Sequence, residues 1–310
     1  MRKTIKKVIE NPRLILLWSM GWVFPKLFWW LPDRSYLKVA YFIRMGKRLN
    51  LDNPQTYNEK LQYLLLHDRK PEYREMVDKA TAKEWAARII GEQHIIPTLG
   101  VYDKFDDIDF DTLPDKFVLK CTHDSGGVVI CSDKSAFDMK AARKRLNYRQ
   151  RRNYYRVSRA WCYKDIVPRI IAEKYVEHMG GGIPDYKFFC FNGEVKFMFI
   201  ATERQGSEET KFDFYDLDFN HLPFLNGHPN SAHVLKRPKM WDEMISISKK
   251  LSANLPHVRV DLYEIDGSIY FGEMTFFHFS GKVPFEPEEW DYKFGEYIDL
   301  RTIPQLTNSK

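Results

Sequence analysis

Hydrophobic and polar residues alternate in two ways along this chain, and the pattern predicts a mixture of helices and strands. Apolar residues recur at helical spacing in two stretches within 36–66, and again in 76–90, 138–148 and 240–251. Short apolar runs typical of strands cover 117–120, 128–131, 170–176, 186–191, 195–201, 258–265 and 269–275. Several neighbouring runs are separated only by a short turn, such as Asn192-Gly193, which favours hairpins. We therefore expect an α+β fold with largely antiparallel pairing.

The last predicted hairpin brings acidic side chains together. If its turn has three residues, Asp266–Ser268, then Asp261 lies opposite Glu273 and Arg259 lies opposite Thr275. All four side chains then point to one face of the sheet, because strand side chains alternate. A two-residue turn would instead place Glu273 on the other face.

Two carboxylates that face each other across a strand pair repel one another unless a cation lies between them. Hard oxygen ligands favour Mg²⁺, which binds one or two carboxylates together with substrate phosphates. Asp261 and Glu273 are therefore candidate magnesium ligands. The alternative is an exposed polar sheet face on which both acids are solvated.

A glycine-containing loop follows the strand that ends at Lys120, and its sequence is His123-Asp124-Ser125-Gly126-Gly127. Glycines let backbone N–H groups approach phosphate oxygens, and a strand lysine supplies a fixed positive charge. The loop matches neither a Walker loop nor a dinucleotide-binding fingerprint. It is a candidate phosphate loop, and the alternative is an ordinary hairpin turn.

The strand over 170–176 is apolar until Glu173-Lys174, and Glu177 follows it. Such an edge presents backbone groups that could bind an adenine, and Glu177 could reach ribose hydroxyls. The alternative is a buried strand with a polar end.

Composition limits the class of protein more than its function. The chain has 310 residues, of which 44% are hydrophobic and 29% charged, which excludes wholesale disorder, collagen, a coiled coil and a multi-span membrane protein. The net charge of +6 is compatible with anionic small molecules, nucleic acid or a membrane surface. The four cysteines form no CxxC pair, so we interpret them as reduced core residues of a cytosolic protein.

Residues 14–31 are strongly apolar and follow a basic leader. Pro25-Lys26 interrupts this stretch, so it is too short to span a bilayer, and no small-residue cleavage site follows it. We expect two short helices that meet at the proline. Trp18, Trp22, Trp29 and Trp30 suit a membrane interface, and the alternative is packing on the body of the protein.

Taken in chain order, these segments resemble the ATP-grasp fold, and more closely the TupA-like ATP-grasp family, named after a teichuronopeptide biosynthesis protein. Three motifs carry the resemblance, which covers roughly residues 35–300: NPQTYNEK (53–60), DYKFFCFNG (185–193) and YFGEMTF (270–276). The resemblance implies two α+β subdomains whose antiparallel sheets sandwich a nucleotide, plus an N-terminal helical segment. The predicted divisions are 1–34, 35–115, 116–178 and 179–310.

The resemblance also implies a role for each matching residue. Those implied to hold ATP are Lys79, Lys120, His123, Ser125, Gly126, Gly127, Glu173, Lys174, Val176, Glu177 and Lys187. Those implied to hold Mg²⁺ are Asp261, Glu273 and Thr275, while Arg259 and Lys120 would act on the transferring group. ATP-grasp ligases usually have asparagine where this chain has Thr275, and a hydroxyl is a poorer ligand. One metal ion is therefore implied, and a second is left open.

The implied reaction is carboxylate activation by ATP, followed by attack of an amine to form an amide. A uronic acid of a bacterial surface glycan, or of its lipid-linked precursor, is one candidate carboxylate, with an amino acid as the amine. An amino-acid carboxylate joined to an amino sugar is equally allowed. We expect a cytoplasmic protein that binds no nucleic acid and docks peripherally on an anionic membrane surface.

Two other functions remain open from the sequence. A glycosyltransferase could hold its metal through Asp216-Leu217-Asp218, although Asp107-Ile108-Asp109 has the same pattern. A non-catalytic adaptor that docks on a membrane and binds a glycan would tolerate the loss of a metal ligand at Thr275.

Overall fold

Two antiparallel sheets and the helices around them form the part of the chain that the computed structural model describes, residues 23–124, 126–176, 184–203 and 209–303. The helices are Asp33–Met45 (α1), Tyr57–His67 (α2), Tyr73–Val77 (α3), Thr81–Ile90 (α4), Met139–Gln150 (α5), Tyr154–Ser158 (α6), Trp241–Ser252 (α7) and Glu289–Glu296 (α8). The strands are Thr98–Tyr102 (β1), Phe117–Cys121 (β2), Val128–Cys131 (β3), Ile170–Lys174 (β4), Asp185–Phe191 (β5), Glu194–Thr202 (β6), Lys211–Tyr215 (β7), Leu225–Asn226 (β8), His257–Ile265 (β9), Ser268–Thr275 (β10) and Phe285–Glu286 (β11).

The strands form a four-stranded sheet in the order β1-β4-β2-β3 and a five-stranded sheet in the order β10-β9-β5-β6-β7. Neighbouring strands in both sheets are antiparallel. A two-stranded ribbon pairs β8 with β11. The predicted α+β class with antiparallel sheets is confirmed, and the Asn192-Gly193 hairpin forms as expected, with both turn residues at positive φ.

Aromatic side chains fill the core on both faces of the five-stranded sheet, because consecutive strand residues point to opposite faces. Phe188 and Phe189 on β5 are fully buried, and Phe188 packs against Trp241 of α7 with ring centroids 5.7 Å apart. A smaller core lies under the four-stranded sheet, where Phe117 and Leu146 are buried. The four cysteines, Cys121, Cys131, Cys162 and Cys190, are buried and unpaired.

The motif NPQTYNEK fastens α2 to the rest of the fold. Thr56 caps the helix in a reciprocal box with Glu59. The Tyr57 hydroxyl lies 3.0 Å from Nε2 of the buried His257, and the backbone N–H of Asn58 donates to Asp291 at 2.9 Å. This motif, which helped to carry the resemblance, is thus part of the scaffold.

The hairpin of β9 and β10 has the predicted pairing of Asp261 with Glu273, but its turn differs from the predicted one. Its turn has two residues, Asp266 and Gly267, so the three-residue turn was wrong. The register then shifts at Gly272, and this bulge places Glu273 opposite Asp261 after all. A Cβ atom at Gly272 would lie 2.9 Å from the Asp261 carbonyl oxygen, so the bulge suits a residue without a side chain.

The helical run predicted over 76–90 is broken into α3 and α4. The carboxylate of Asp78 accepts hydrogen bonds from the backbone of Ala80 at 2.9 Å and of Thr81 at 3.2 Å, which caps α4. The break turns the backbone N–H of Lys79 towards Thr122, to whose carbonyl oxygen it donates at 3.0 Å. Lys79 is therefore anchored beside the glycine-containing loop.

The N-terminal apolar stretch is described only from residue 23. Residues 23–27 are helical with Pro25 inside them, and the next helix begins at Asp33. The first of the two helices predicted to meet at the proline lies outside the described residues, so that prediction stays a prediction. Phe24 is buried against Tyr36 at 4.9 Å, whereas Trp29 and Trp30 are exposed. Trp18 and Trp22 lie outside the described residues. None of the helices described here is long and apolar enough to cross a membrane.

Candidate functional site

Charged side chains of β5 and β9 meet on one face of the five-stranded sheet. Arg259 donates through Nε and Nη2 to the two carboxylate oxygens of Asp261, at 2.7 and 2.8 Å. Lys187, the register partner of Asp261, forms an ion pair with it and a second ion pair with Asp185 at 2.7 Å. Asp261 is only 1% exposed. Lys187, predicted to hold nucleotide, thus bridges two buried carboxylates in this structure.

Glu273 faces the same cluster from β10 but is far more accessible, with 38% of its side chain exposed. Its carboxylate lies 3.5 Å from Arg259 Nη2 and 3.8 Å from Lys79 Nζ. Arg259 Nη2 also donates to the Thr275 hydroxyl at 3.0 Å. The predicted set of Arg259, Asp261, Glu273 and Thr275 therefore comes together, and Lys79 reaches it from the turn between α3 and α4.

His278 is a member of this group that the sequence did not single out. Arg259 Nη1 donates to its Nδ1 at 2.7 Å, and its Nε2 then donates to Asn226 Oδ1 at 2.9 Å. Burial and the Arg259 charge hold the pKa of His278 well below its usual value, so the ring is neutral and accepts from Arg259. The ring holds in position the guanidinium that neutralises Asp261. The only sequence signal for this role was the position of His278 three residues after Thr275.

A second charged group lies on the four-stranded sheet, and we name it the lysine cluster: Lys83, Lys120 and Glu173. The Glu173 carboxylate lies 2.5 Å from Lys83 Nζ and 2.5 Å from Lys120 Nζ. Burial alone would raise the pKa of Glu173, but the two ammonium groups lower it to about 2. Lys83 was missed by sequence reasoning, although it lies in α4 only four residues after Lys79.

The loop between β2 and β3 is held by several local contacts. Lys79 Nζ donates to the Asp124 carbonyl oxygen at 2.9 Å, and Arg145 donates to that of Gly126 at 3.2 Å. The His123 ring is buried and donates to the Arg152 carbonyl oxygen at 3.1 Å, so it points into the protein. A Cβ atom at Gly127 would lie 2.9 Å from the Cys121 sulfur, and Ser125 lies outside the described residues.

The segment expected to hold the adenine is the end of β4 and the residues after it, which the structure describes as far as Val176. The side chain of Glu173 points to Lys83 and Lys120. The backbone N–H of Lys174 donates to the Pro97 carbonyl oxygen at 2.9 Å. Val176 is partly buried, and Glu177 lies outside the described residues. The roles predicted for Lys174, Val176 and Glu177 stay predictions.

A cavity of about 890 Å³ lies between the two sheets. Residues that line it include Val118, Lys120, Gly126, Val128, Thr202 and Tyr263. A volume of this order suits a nucleotide-sized ligand. One wall thus carries Lys120 and the glycine-containing loop, and the other comes from the five-stranded sheet.

A family model described as TupA-like ATPgrasp matches residues 59–299. The chain belongs to the TupA-like ATP-grasp family. The resemblance seen in the sequence is confirmed.

Solved structures similar to this TupA-like chain include a D-alanine–D-alanine ligase from Bacillus anthracis complexed with ATP, at 16% identity and a TM-score of 0.38, covering 65% of this chain and 54% of that one. Another structure of the Bacillus anthracis ligase has 15% identity and a TM-score of 0.41, covering 79% and 69%. The D-cycloserine synthetase DcsG has 19% identity and a TM-score of 0.41, covering 74% and 72%. The chain thus spans about half the length of the first ligase. No curated protein matches it.

The donor chemistry of the TupA-like site fits a divalent ion in part. The cluster on the five-stranded sheet, which we name the carboxylate cluster, contains Asp185, Asp261, Glu273, Lys79, Lys187 and Arg259. Glu273 and the Thr275 hydroxyl supply hard oxygen atoms, but both oxygens of Asp261 already accept from cations. Among the described residues, no group of three or more His, Cys, Asp or Glu side chains is arranged around a metal position.

The charge balance of the carboxylate cluster indicates that Mg²⁺ would bind there together with nucleotide phosphates. Three carboxylates face three cationic side chains, so their formal charges cancel. An added Mg²⁺ would leave an excess of positive charge, which the phosphates of a nucleotide would offset. Glu273 would hold the ion, and Asp261 would join it by releasing one oxygen from Lys187 or Arg259.

The two D-x-D patterns of the TupA-like chain have local structural roles. Asp216 accepts hydrogen bonds from the backbone of Asp218 at 3.0 Å and of Asn220 at 2.8 Å, which closes its own turn. In the other pattern, Asp109 accepts from the backbone of Asp111 at 3.0 Å. These carboxylates are occupied by neighbouring N–H groups, and this weakens the glycosyltransferase alternative.

Proposed function

We propose that this TupA-like ATP-grasp protein is an ATP-dependent carboxylate–amine ligase that forms an amide through an acyl phosphate. One observation carries the proposal: Arg259, Asp261 and Glu273 lie together on one sheet face, and Lys79 links them to the glycine-containing loop. Such a group provides both the oxygen ligands for a metal–phosphate complex and positive charge beside it.

In the proposed reaction, the residues of this chain act mainly by charge and position. Lys120 and Lys79 would bind nucleotide phosphates from two sides of the loop. Arg259, held by Asp261 and His278, would stabilise the charge that develops as the phosphoryl group moves to the substrate carboxylate. Bound Mg²⁺, held by Glu273 and Asp261, would supply Lewis-acid charge neutralisation.

Arg259 is buried and held in one position, and its guanidinium stays protonated. Burial opposes the charge on Arg259, but the carboxylates of Asp261, Glu273 and Asp185 raise its pKa above its usual value. A guanidinium that is fixed before the reaction needs no reorganisation when charge develops beside it. We expect Arg259→Lys to be a poor substitute, because an ammonium lacks the fork that binds both oxygens of Asp261.

For the substrates, we propose a carboxylate-bearing glycan or lipid-linked sugar of a bacterial surface or capsular polysaccharide, with an amino acid as the amine. The reverse assignment, with an amino-acid carboxylate and an amino sugar, remains part of the proposal. The support is the family assignment together with the polysaccharide context that the resemblance implies. A cytoplasmic location agrees with the four buried, unpaired cysteines.

The test is ADP release across a panel of uronic acids and amino acids, measured with the purified chain and with Glu273→Gln as the inactive control. ADP and amide that form only when a carboxylate and an amine are both present support the ligase. Consumption of a sugar nucleotide without ADP release would favour a glycosyltransferase. Glycan binding without either turnover would favour the adaptor.

We also propose that the N-terminal segment docks on the cytoplasmic face of an anionic membrane. Leu27, Phe28, Trp29 and Trp30 are exposed, and such side chains suit the interface of a bilayer. Arg159 donates to the carbonyl oxygen of Trp29 at 2.7 Å and so fastens this segment to the body.

Liposome co-sedimentation tests membrane docking. The double variant Trp29→Ser, Trp30→Ser should sediment less with anionic liposomes than the unchanged chain, with the same circular dichroism. High salt should weaken but not abolish binding, because apolar insertion is not screened. Equal sedimentation of the two chains would contradict docking through this segment.

A further inference from the structure

A second cavity, of about 270 Å³, lies apart from the cleft between the sheets. Helices α1 and α6 and the loop after β10 surround it. Residues that line it include Phe24, Tyr36, Arg44, Tyr154, Ser280 and Lys282. Its walls are mainly aromatic and apolar, yet two of its side chains are cationic.

The positive charge in this cavity lacks a matching negative charge. Among the residues that the structure describes, no carboxylate lies within 4.0 Å of the Lys282 ammonium or the Arg44 guanidinium. Burial, reinforced by Arg44 and Arg159, lowers the pKa of Lys282 to about 7. Arg159, by contrast, has a counter-charge, because its Nε lies 3.7 Å from Asp33 Oδ1. The partly buried ammonium of Lys282 and the more exposed guanidinium of Arg44, with no described carboxylate in reach, make a site that an anion would stabilise.

The loop that carries Lys282 is held in an uncommon shape. Phe279, Ser280 and Gly281 all have positive φ, at 48°, 53° and 59°. The amide of Gln62 fixes this shape by donating to the carbonyl oxygens of Ser280 at 2.7 Å and Gly281 at 2.9 Å. Backbone strain of this kind is concentrated at functional sites. The same loop begins at His278, which accepts a hydrogen bond from Arg259. It therefore connects this cavity to the carboxylate cluster.

The mouth of the cavity adjoins apolar surface. Phe24 and Pro25 line the cavity itself. The side chains that flank them along the chain are exposed, namely Val23, Leu27, Phe28, Trp29 and Trp30. A ligand that fits both features carries an anionic group for the cations and an apolar part for this surface.

We propose that this cavity binds the phosphate group of a lipid, with Arg44 and Lys282 as its ligands and with the lipid chains lying against residues 23–30. In the ligase, this lipid phosphate would be the handle by which a lipid-linked substrate is held beside Arg259. That use rests on the proposed function, whereas the binding itself does not.

The probe is dihexanoyl phosphatidic acid, kept below its critical micelle concentration. Its binding to the full chain is measured by isothermal titration calorimetry. We expect Arg44→Gln and Lys282→Gln each to weaken binding about tenfold, because each removes one charge-assisted contact. Lys38→Gln, on the exposed side of α1, is the matched control and should bind as the unchanged chain does. Lys282→Arg, which keeps the charge, should restore much of the affinity.

Two comparison ligands separate the sources of binding. Inorganic phosphate should bind more weakly than the lipid, and equal affinity would refute the apolar part of the site. Dihexanoyl phosphatidylcholine should also bind more weakly, and equal affinity would refute recognition of the anion. Unchanged lipid affinity in both glutamine variants, with circular dichroism intact, would overturn the proposal.

ATP titration of the same variants keeps the two proposals distinct. We expect Lys282→Gln to bind ATP as the unchanged chain does, because Lys282 lines only the second cavity of the two. A chain that binds lipid phosphate but never ATP would refute the ligase and leave the lipid site standing.

Discussion

The two charged clusters of this protein bury carboxylates in opposite ways. In the lysine cluster, Glu173 is enclosed between Lys83 and Lys120, so one carboxylate faces two ammonium groups. In the carboxylate cluster, three acids face three cations, and Glu273 is left partly exposed. The first cluster therefore carries surplus positive charge beside the glycine-containing loop, whereas the second is balanced.

This difference assigns the clusters different tasks in the proposed ligase. Surplus positive charge attracts phosphate without help from a metal ion. A balanced cluster gains little from Mg²⁺ alone, but it accepts the ion together with anionic phosphates.

The sharpest test compares the buried and the exposed carboxylate of the second cluster. Asp261→Ala leaves Arg259 and Lys187 buried without their main partner, so it should lower the free energy of unfolding by about 3–5 kcal/mol. Glu273→Ala removes only loosely paired charge and should change it by less than about 1 kcal/mol. Both should lower ATP turnover by about 100-fold or more.

Urea denaturation followed by circular dichroism, together with an ADP-release assay, checks both variants. Asp261→Asn, which keeps the shape, serves as the second variant if Asp261→Ala does not fold. Equal stability of Asp261→Ala and Glu273→Ala would show that Asp261 is not the structural centre of the cluster.

The lysine cluster makes a pH-dependent contribution to stability. The pKa of Glu173 falls from 4.5 to about 2 in the folded protein, so its ionised form stabilises the fold by about 3 kcal/mol. This stability is fully present above about pH 4.5 and is lost as the pH falls through 2.

The free energy of unfolding of the unchanged chain and of Glu173→Gln, measured from pH 7 downwards, checks this contribution. The gap between them should be widest at neutral pH and should narrow below about pH 4.5. A gap that does not change with pH would mean that the lysines do not hold Glu173 ionised.

Gly272 connects the sequence pattern of the hairpin with its chemistry. Gly272→Ala places a methyl group against the Asp261 backbone, so we expect a loss of about 1–3 kcal/mol in the free energy of unfolding. ATP turnover should fall as well, because the bulge sets Glu273 opposite Asp261. Gly267→Ala is a control without a close neighbour, although its positive φ adds strain of its own. Normal turnover in Gly272→Ala would show that the bulge is not needed.

The smallest expected effect is on nucleotide affinity. Lys120→Ala should weaken ATP binding about tenfold, since one charge-assisted contact is lost. Lys140→Ala, on the exposed side of α5, should leave it unchanged. Equal ATP affinities in the two variants, measured by calorimetry, would refute the role of Lys120 at the phosphates.

Much of the site could be anticipated from spacing along single strands. Arg259 and Asp261, two residues apart, had to share a face, and Lys120 had to lie near the end of the strand that precedes the loop. Lys83 and His278 escaped because their partners are 90 and 19 residues away along the chain, and no local pattern marks such a pair. Glu173 was assigned to the adenine because nothing in its strand shows which face the lysines occupy.

The sequence by itself determined the order of elements, the antiparallel hairpins and the family, because turn residues and strand periodicity act over a few neighbouring residues. Tertiary structure alone decided the bulge at Gly272, the burial of Asp261 against the exposure of Glu273, and the meeting of Lys83 with Glu173. These features depend on how separate elements pack and share charge. Burial and ion pairing are properties of the assembled fold, and no single segment specifies them.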